Sequence, residues 1–146
     1  MNPKLPNYLR TVNTLIALIL LALCLSACSA LTNSSQGQVV SQFMTAMLNR
    51  DVTAAVALFP AGSEAEIQPQ LEVMLADQYY LFDGYQSITV TSLNTSLAEG
   101  QSTTELEGQV TYTGEITGTF QASLFKEGET WKLTNINLNV PEEKVP

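Results

Sequence analysis

Residues 116–133, ITGTFQASLFKEGETWKL, contain the clearest structural pattern in this chain. Apolar or small residues alternate with polar ones over residues 116–124, and this period of two is typical of a β-strand with one buried face. Glu127-Gly128 then marks a tight turn before a further strand that contains Trp131. The stretch therefore predicts an antiparallel hairpin.

The two strands of this hairpin differ in their alternation. The buried face predicted for the first strand comprises Ile116, Gly118, Phe120, Ala122 and Leu124. In the second strand the apolar positions change from odd (Trp131, Leu133) to even (Ile136, Leu138, Val140). One extra residue in a strand makes a β-bulge and shifts the frame in this way. We therefore expect a bulge near Thr134-Asn135.

The pattern of short strands extends upstream of the hairpin. Strands are predicted over residues 86–97, 103–113, 115–126 and 130–140, with turns at Glu99-Gly100 and Thr113-Gly114. Short turns between successive strands predict an antiparallel meander of four strands. The threonine-rich face of this sheet is predicted to meet solvent, and the alternative is a surface on which a partner docks; it comprises Thr111, Thr113, Thr117 and Thr119.

The chain before the strands is helical in pattern. Apolar residues recur at steps of three and four over residues 38–48, as in an amphipathic helix. Asp51 is a plausible N-cap for a second helix over residues 52–58, which Pro60 ends. Ser63-Glu64-Ala65-Glu66 has the spacing of a capping box and predicts a third helix that bends at Pro69 and continues to residue 80.

Helices followed by a run of antiparallel strands indicate an α+β fold, with the helices packed on one face of the sheet. This order resembles the nuclear-transport-factor-two-like, or cystatin-like, cone fold. Two stretches carry the resemblance: residues 43–59, FMTAMLNRDVTAAVALF, are similar to its opening helix pair, and residues 118–133 to its closing hairpin. The resemblance implies a cone-fold domain of unknown function over residues 38–140, followed by a polar tail at 141–146.

The amino terminus has the layout of an export signal. Lys4 and Arg10 precede the apolar run LIALILLALC at residues 15–24, and Leu25-Ser26-Ala27-Cys28 follows. This last motif resembles the lipobox of bacterial lipoproteins, which implies a diacylglyceryl group on the Cys28 sulfur and cleavage before that residue. Residues 1–27 would then be the signal peptide and residues 28–37 a flexible tether.

The alternatives for the amino terminus are an ordinary signal peptide and an uncleaved anchor helix. The apolar run is short for a membrane span, which needs about 20 residues. Bacterial lipoproteins carry two or three acyl chains, so the resemblance implies permanent attachment to a membrane outside the cytoplasm. Ser29 replaces the Asp that favours inner-membrane retention in some bacteria, which slightly favours the outer membrane where a cell has two.

Composition excludes several classes of function. Cleavage after residue 27 removes two of the six basic residues and leaves all fourteen acidic ones. So acidic a domain repels phosphate backbones, which argues against nucleic-acid binding. The chain has no histidine, and its only mature cysteine would be lipidated. We therefore expect no disulfide, no zinc or copper site and no cofactor other than the lipid on Cys28.

The family resemblance also implies an apolar pocket, used for a small ligand or for pairing with a second subunit as in a homodimer. The side chains proposed to line it are Phe43, Met47, Tyr79, Tyr80, Tyr112 and Trp131, although such residues are commonly core. Some cone-fold isomerases and cyclases use a pocket Asp with a Tyr, and Asp77 and Asp83 are the corresponding candidates here. A solvated helix residue explains Asp77 better, and a turn residue explains Asp83 better, so no catalytic role is assigned.

The sequence thus predicts a membrane-anchored, non-enzymatic lipoprotein whose small domain binds an apolar small ligand or a protein partner. The alternative is a small isomerase or hydrolase that uses a pocket carboxylate and a tyrosine. The position of Asp77 or Asp83 relative to an enclosed cavity distinguishes the two hypotheses.

The Cys28→Ser variant tests the lipid anchor. Because a hydroxyl cannot replace the thiol that accepts the diacylglyceryl group, we expect an unlipidated precursor larger than the mature protein. Gel mobility and incorporation of labelled palmitate measure this outcome in a bacterial host. Cys24→Ser is the matched control and should be processed normally, because Cys24 lies outside the motif. Normal processing and membrane retention of Cys28→Ser would refute the assignment.

Overall fold

The computed structural model describes residues 34–145. The predicted signal peptide, Cys28 and the first part of the predicted tether lie outside the described residues. The described part has the predicted α+β class, with helices packed against one face of a curved four-stranded antiparallel sheet. Among the described residues, the buried hydrophobic side chains of the core lie between residues 39 and 133.

Three helices precede the sheet: α1 is Ser35–Leu48, α2 is Val52–Val56 and α3 is Glu64–Asp77. Helix α1 begins three residues before the predicted start, within the segment predicted to be a tether. The reason is its cap, because Ser34 Oγ accepts a hydrogen bond from the Gly37 amide at 3.1 Å. The helical domain therefore begins nearer to the proposed lipid site than the sequence indicated.

Of the two predicted helix caps, the one at α2 is confirmed and the one at α3 is wrong. Asp51 caps α2 as predicted, since its Oδ1 accepts a hydrogen bond from the Ala54 amide at 2.9 Å. The capping box predicted for α3 is absent. Ser63 occupies the N-cap, but its hydroxyl donates to the Pro60 carbonyl at 2.6 Å and makes no capping bond.

Helix α3 runs through Pro69 as one element and ends at Asp77. A short 3₁₀ turn, Tyr79–Leu81, replaces the predicted last turn of this helix. Leu71 and Leu75 are buried, whereas Met74 is half-buried and Gln78 is exposed. The helix is therefore buried along a narrow stripe.

The sheet contains β1 (Tyr85–Ala98), β2 (Gln101–Tyr112), β3 (Thr117–Glu127) and β4 (Thr130–Asn139) in the order β1-β2-β3-β4. Each neighbouring pair is antiparallel. In β4, Asn135 pairs with Ser123 and Leu133 pairs with Leu124, which leaves Thr134 as an extra residue. The predicted bulge is confirmed, and it aligns both halves of β4 with the buried face of β3.

A 3₁₀ turn, Thr113–Glu115, joins β2 to β3. It includes Glu115, which was predicted to be the first residue of the third strand. Gly114 and Glu115 have positive φ angles of 81° and 62° there, which a strand does not accept. Thr113, Thr117 and Thr119 are exposed, and Thr111 is half-buried. The prediction of a solvent-facing threonine surface is confirmed.

The core forms where α1 crosses the sheet. Four α1 side chains are completely buried: Val40, Phe43, Met44 and Met47. The ring of Phe43 makes edge-to-face contacts with Phe59 and Phe82, at centroid distances of 6.0 Å and 6.1 Å. The apolar stripe predicted for the first helix is therefore the centre of the domain.

The end of the chain differs from the predicted polar tail. Glu142–Lys144 forms a 3₁₀ turn that packs back onto the domain. Lys144 Nζ lies 4.0 Å from the centroid of the Tyr112 ring and donates a hydrogen bond to the Asp83 carbonyl at 2.6 Å. The contacts of Lys144 thus hold residues 142–144 against the domain, although their polarity predicted a solvent-exposed tail.

Gly108 gives a test of the packing between β2 and β3. A Cβ on Gly108 would lie 2.5 Å from Phe120 Cε1 and would also meet the Thr89 carbonyl oxygen. We expect Gly108→Ala to lower the free energy of unfolding by about 1–3 kcal/mol, because this overlap outweighs the strand preference for Ala over Gly. Urea unfolding measures the change. The exposed neighbour variant Gln109→Ala should change stability by less than about 0.5 kcal/mol, and equal stabilities would contradict the packing argument.

Candidate functional site

Three of the six residues proposed to line a pocket are part of the packed core. Phe43 and Met47 have no exposed surface, and Tyr112 is 1% exposed. Tyr112 also donates a hydrogen bond from its hydroxyl to the Leu81 carbonyl at 2.9 Å. Protein atoms therefore fill the space that Phe43 and Met47 face.

The other three residues lie apart from one another. The Tyr79 hydroxyl donates to the Leu48 carbonyl at 2.9 Å, and the Arg50 guanidinium lies 3.9 Å above the Tyr79 ring centroid. Tyr80 lines a surface depression of about 300 Å³ together with Tyr112. Trp131 is half-buried in β4. The structure thus does not place the six side chains around a single cavity.

The two aspartates considered for acid–base chemistry are exposed. Asp77 is the last residue of α3, and Asp83 lies in the turn before β1. Asp83 borders the depression that Tyr80 lines, but the hydroxyl of nearby Tyr112 is already bonded to a backbone carbonyl. Neither carboxylate lies in an enclosed cavity beside a free tyrosine hydroxyl.

A groove of mixed polar and apolar lining lies between α3 and β4. Its volume is about 130 Å³, and it is lined by Met74, Gln78, Leu81, Ile136, Asn137 and Leu138. Ile136 and Leu138 pair with Ala122 and Phe120 on the core side of the sheet. They remain half-buried, because the helices do not completely cover this end of β4.

A second depression of about 430 Å³ adjoins the groove along α3. Its lining is Pro69, Gln70, Val73, Met74 and Gln78. Met74 and Gln78 line both, so the two depressions are adjacent, and we call them together the α3–β4 groove. Val73 is 59% exposed in it and is one of three large apolar side chains that are exposed among the described residues, with Leu97 and Val145.

The surroundings of the α3–β4 groove are acidic. Helix α3 contributes Glu64, Glu66, Glu72 and Asp77 and has no basic residue. All fourteen acidic residues of the chain lie within the described part, against four basic ones. The surface potential near the groove is therefore negative.

Each of the four basic side chains in residues 34–145 has a local partner. Arg50 stacks on Tyr79, and Lys126 lies 3.5 Å from Glu129 in an exposed ion pair. Lys132 donates to the Ala57 carbonyl at 2.8 Å, and Lys144 donates to that of Asp83. Only Lys126 is paired with a carboxylate, so these cations leave most of the acidic charge uncompensated.

The solvent face of the sheet has a different character. A shallow depression of about 610 Å³ there is lined mainly by polar residues of all four strands, among them Thr91, Glu107, Gln121 and Asn137. Gln121 donates to Glu107 at 3.2 Å across two strands. These side chains satisfy one another and water, as expected for a solvated sheet face.

Residues 34–145 contain no group of three or more His, Cys, Asp or Glu side chains that could hold a metal ion. Over the same residues, no helix has both the length and the apolar character to cross a membrane.

Sequence reasoning missed the α3–β4 groove because it selected aromatic residues. The sequence feature that could have indicated this groove is Val73. Leu71 and Leu75 define the buried stripe of α3, and Val73 lies two residues from each of them, which places it on the opposite side of a helix. An apolar residue at such a position is the feature that marks an exposed hydrophobic surface.

The hydroxyl of Tyr112 predicts a pH dependence of stability. Burial, with a smaller contribution from the nearby Tyr85 hydroxyl, raises its pKa to about 12. Because the folded state retains this proton and the unfolded chain releases it near pH 10, the stabilisation is complete below pH 10 and is lost between pH 10 and about 12. Urea unfolding across this range should therefore show a smaller loss of stability for Tyr112→Phe than for the original chain. Equal losses would contradict this.

No protein-family model matches the chain, and no curated protein sequence does. Solved structures match its fold. A protein of unknown function with a cystatin-like fold from Nostoc punctiforme PCC 73102 aligns with a TM-score of 0.50 at 13% identity, covering 72% of this chain and 87% of that one. An NTF2-like protein of unknown function from Pseudomonas putida KT2440 aligns at 0.45 and 13% identity, covering 71% and 82%. Aln2 from a Streptomyces species aligns at 0.46 and 18% identity, covering 71% and 86%. At these identities the likeness shows the fold alone: the domain has the cystatin-like architecture.

Proposed function

We propose that this protein is a lipid-anchored, non-enzymatic binding module whose α3–β4 groove receives a basic, amphipathic segment of a protein partner. The observation that carries the proposal is an apolar strip exposed on an acidic surface. The lipid anchor rests on the lipobox-like residues 25–28, and the binding role rests on the groove.

The size of the α3–β4 groove favours a protein segment over a small molecule. Pockets for small ligands typically enclose about 300–1,000 Å³ and bury most of the ligand. The part between α3 and β4 holds about 130 Å³, and the larger part along α3 is open to solvent. Two or three apolar side chains of an extended or helical segment fit such a strip, whereas a compact apolar ligand would stay largely in water.

Charge favours a basic partner. Helix α3 forms one wall of the α3–β4 groove and carries only acidic charges. A segment with apolar residues on one side and lysines or arginines on the other would bury the first and place the second near these carboxylates. Such complementarity increases the association rate and disfavours acidic partners.

The contacts of the tyrosines and aspartates favour binding over catalysis. A general acid or base must reach the reacting group and titrate near the working pH. The hydroxyls of Tyr79 and Tyr112 are bonded to backbone carbonyls, and burial raises the pKa of Tyr112 to about 12. Asp77 and Asp83 face solvent.

The proposed anchor gives this binding role a location. Lipid on Cys28 would hold the domain at a membrane surface outside the cytoplasm, through the few residues before Ser34. An acidic domain is repelled by anionic headgroups, so the α3–β4 groove would stay available to partners in the surrounding solution.

A designed peptide pair tests the proposed binding site. The first is a 14-residue amphipathic helix of leucine and lysine, and the second has glutamate in place of lysine. Residues 34–146, labelled with ¹⁵N, are titrated with each and followed by NMR. We expect only the lysine peptide to bind, with chemical-shift changes centred on α3 and β4, because it alone complements both the apolar strip and the charge.

Substitutions in the domain distinguish binding in the α3–β4 groove from nonspecific electrostatic attraction of the lysine peptide to the acidic domain. Val73→Gln should weaken binding of the lysine peptide about tenfold, because it removes an apolar contact of roughly 1–1.5 kcal/mol. Thr119→Gln on the solvent face of the sheet is the control and should have no effect. Equal binding of both peptides, or shift changes centred on the sheet face, would overturn the proposal.

A further inference from the structure

Strand β1 is an edge strand without the usual protection. Among residues 34–145, β2 is its only neighbour in the sheet. Its fourteen residues, YQSITVTSLNTSLA, contain no charged residue and no proline. Such residues normally prevent exposed edges from pairing with other chains.

The opposite edge of the sheet is protected. In β4 the Leu133 amide donates to the Leu58 carbonyl at 2.8 Å, so the chain after α2 covers part of this edge. The bulge at Thr134 interrupts the regular strand immediately afterwards. Strand β1 also has bulges, at Gln86 and Thr91, so the two edges differ in their capacity to accept another strand only over the regular residues 92–98.

The second half of β1, residues 92–98, is the regular part of this edge, and we call it the distal β1 segment. It pairs with β2 without a shift, from Ser92 opposite Glu107 to Ala98 opposite Gln101. Residues 94–98 are exposed, and Leu97 is 73% exposed. This segment extends beyond the part of the sheet that the helices cover.

The distal β1 segment is self-complementary. Its sequence is SLNTSLA, and an antiparallel copy centred on Thr95 places Leu93 opposite Leu97 and Asn94 opposite Ser96. Leu93, Thr95 and Leu97 share one face because side chains alternate along a strand. The pairing would therefore bury both copies of the exposed Leu97 against Leu93.

We propose that two copies of the chain associate by antiparallel pairing of their distal β1 segments, with a two-fold axis at Thr95. The result is one continuous eight-stranded sheet. A two-fold symmetric interface needs a surface that complements itself. The distal β1 segment meets this need, because Leu93 faces Leu97 and Asn94 faces Ser96 of the other copy.

Charge identifies a second copy as the occupant of this edge. Two domains that each carry fourteen acidic residues against four basic ones repel each other, so contact requires a surface free of carboxylates. In the proposed pairing, no charged residue of one β1 strand faces a charged residue of the other copy. Glu99, which follows the strand, faces Thr91 of the other copy. The α3–β4 groove lies at the other edge and stays free, so this inference does not depend on the proposed function.

Disulfide trapping of the full chain in whole bacterial cells, without separating membranes, tests the pairing in a Cys24→Ser background. Directly opposed residues of antiparallel strands have Cα atoms about 4.5–5.5 Å apart, within the range for a disulfide. We expect Thr95→Cys, after mild oxidation with copper phenanthroline, to give at least fivefold more covalent dimer than Thr119→Cys on the solvent face of the sheet. Adding Leu97→Lys should reduce this to the control level.

The register is tested by mixed pairs. Asn94→Cys and Ser96→Cys in two differently tagged chains should form heterodimers in preference to homodimers, because position 94 faces position 96 and not itself. Cross-linking of Thr95→Cys no greater than that of the control would overturn the proposal. So would cross-linking that Leu97→Lys leaves unchanged, or the absence of a heterodimer preference. Peptide binding at the α3–β4 groove is unaffected by any of these results.

Discussion

Packing of α1 across the sheet is the interaction on which the rest of this structure depends. Phe43, at its centre, is completely buried and contacts Phe59 after α2 and Phe82 before β1. One helix thereby joins the helical half of the chain to the sheet. The same contacts fill the space where the family resemblance implied a ligand pocket. Because dense packing there leaves no room for a ligand beside Phe43, the surfaces available for recognition are on the outside of the domain.

Those outer surfaces are shaped by incomplete coverage of the sheet. The helices end before they cover Ile136 and Leu138, which leaves an apolar strip beside α3, and β1 extends beyond them in the other direction. The basic side chains are engaged locally, so the acidic charge dominates what a partner meets. Apolar contact and a negative field at one edge, and an uncharged self-complementary strand at the other, favour two different kinds of association.

The tyrosines have structural roles that their residue type does not reveal. Tyr79 and Tyr112 each donate to a backbone carbonyl 31 residues away in the chain. These bonds connect α1 to the turn after α3, and that turn to β2. Lys144 connects the last turn, residues 142–144, to the same region, because its ammonium group lies over the Tyr112 ring and donates to the Asp83 carbonyl. Side chains that suggest acid–base chemistry in the sequence thus satisfy buried backbone groups in the fold.

The sequence by itself determined the elements whose causes are local. The alternation around Phe120 predicted β3, the frame change predicted the bulge at Thr134, and Asp51 predicted the start of α2, because each depends on residues a few positions apart. Ser63 makes no capping bond; its backbone is helical (φ −90°, ψ −1°) and not extended as a capping serine's typically is. Only the tertiary structure decided that Phe43 contacts Phe59 and Phe82, that Ile136 and Leu138 stay partly uncovered, and that Lys144 docks on Tyr112. Those outcomes depend on which distant surfaces meet, and neither periodicity nor capping patterns contain that information.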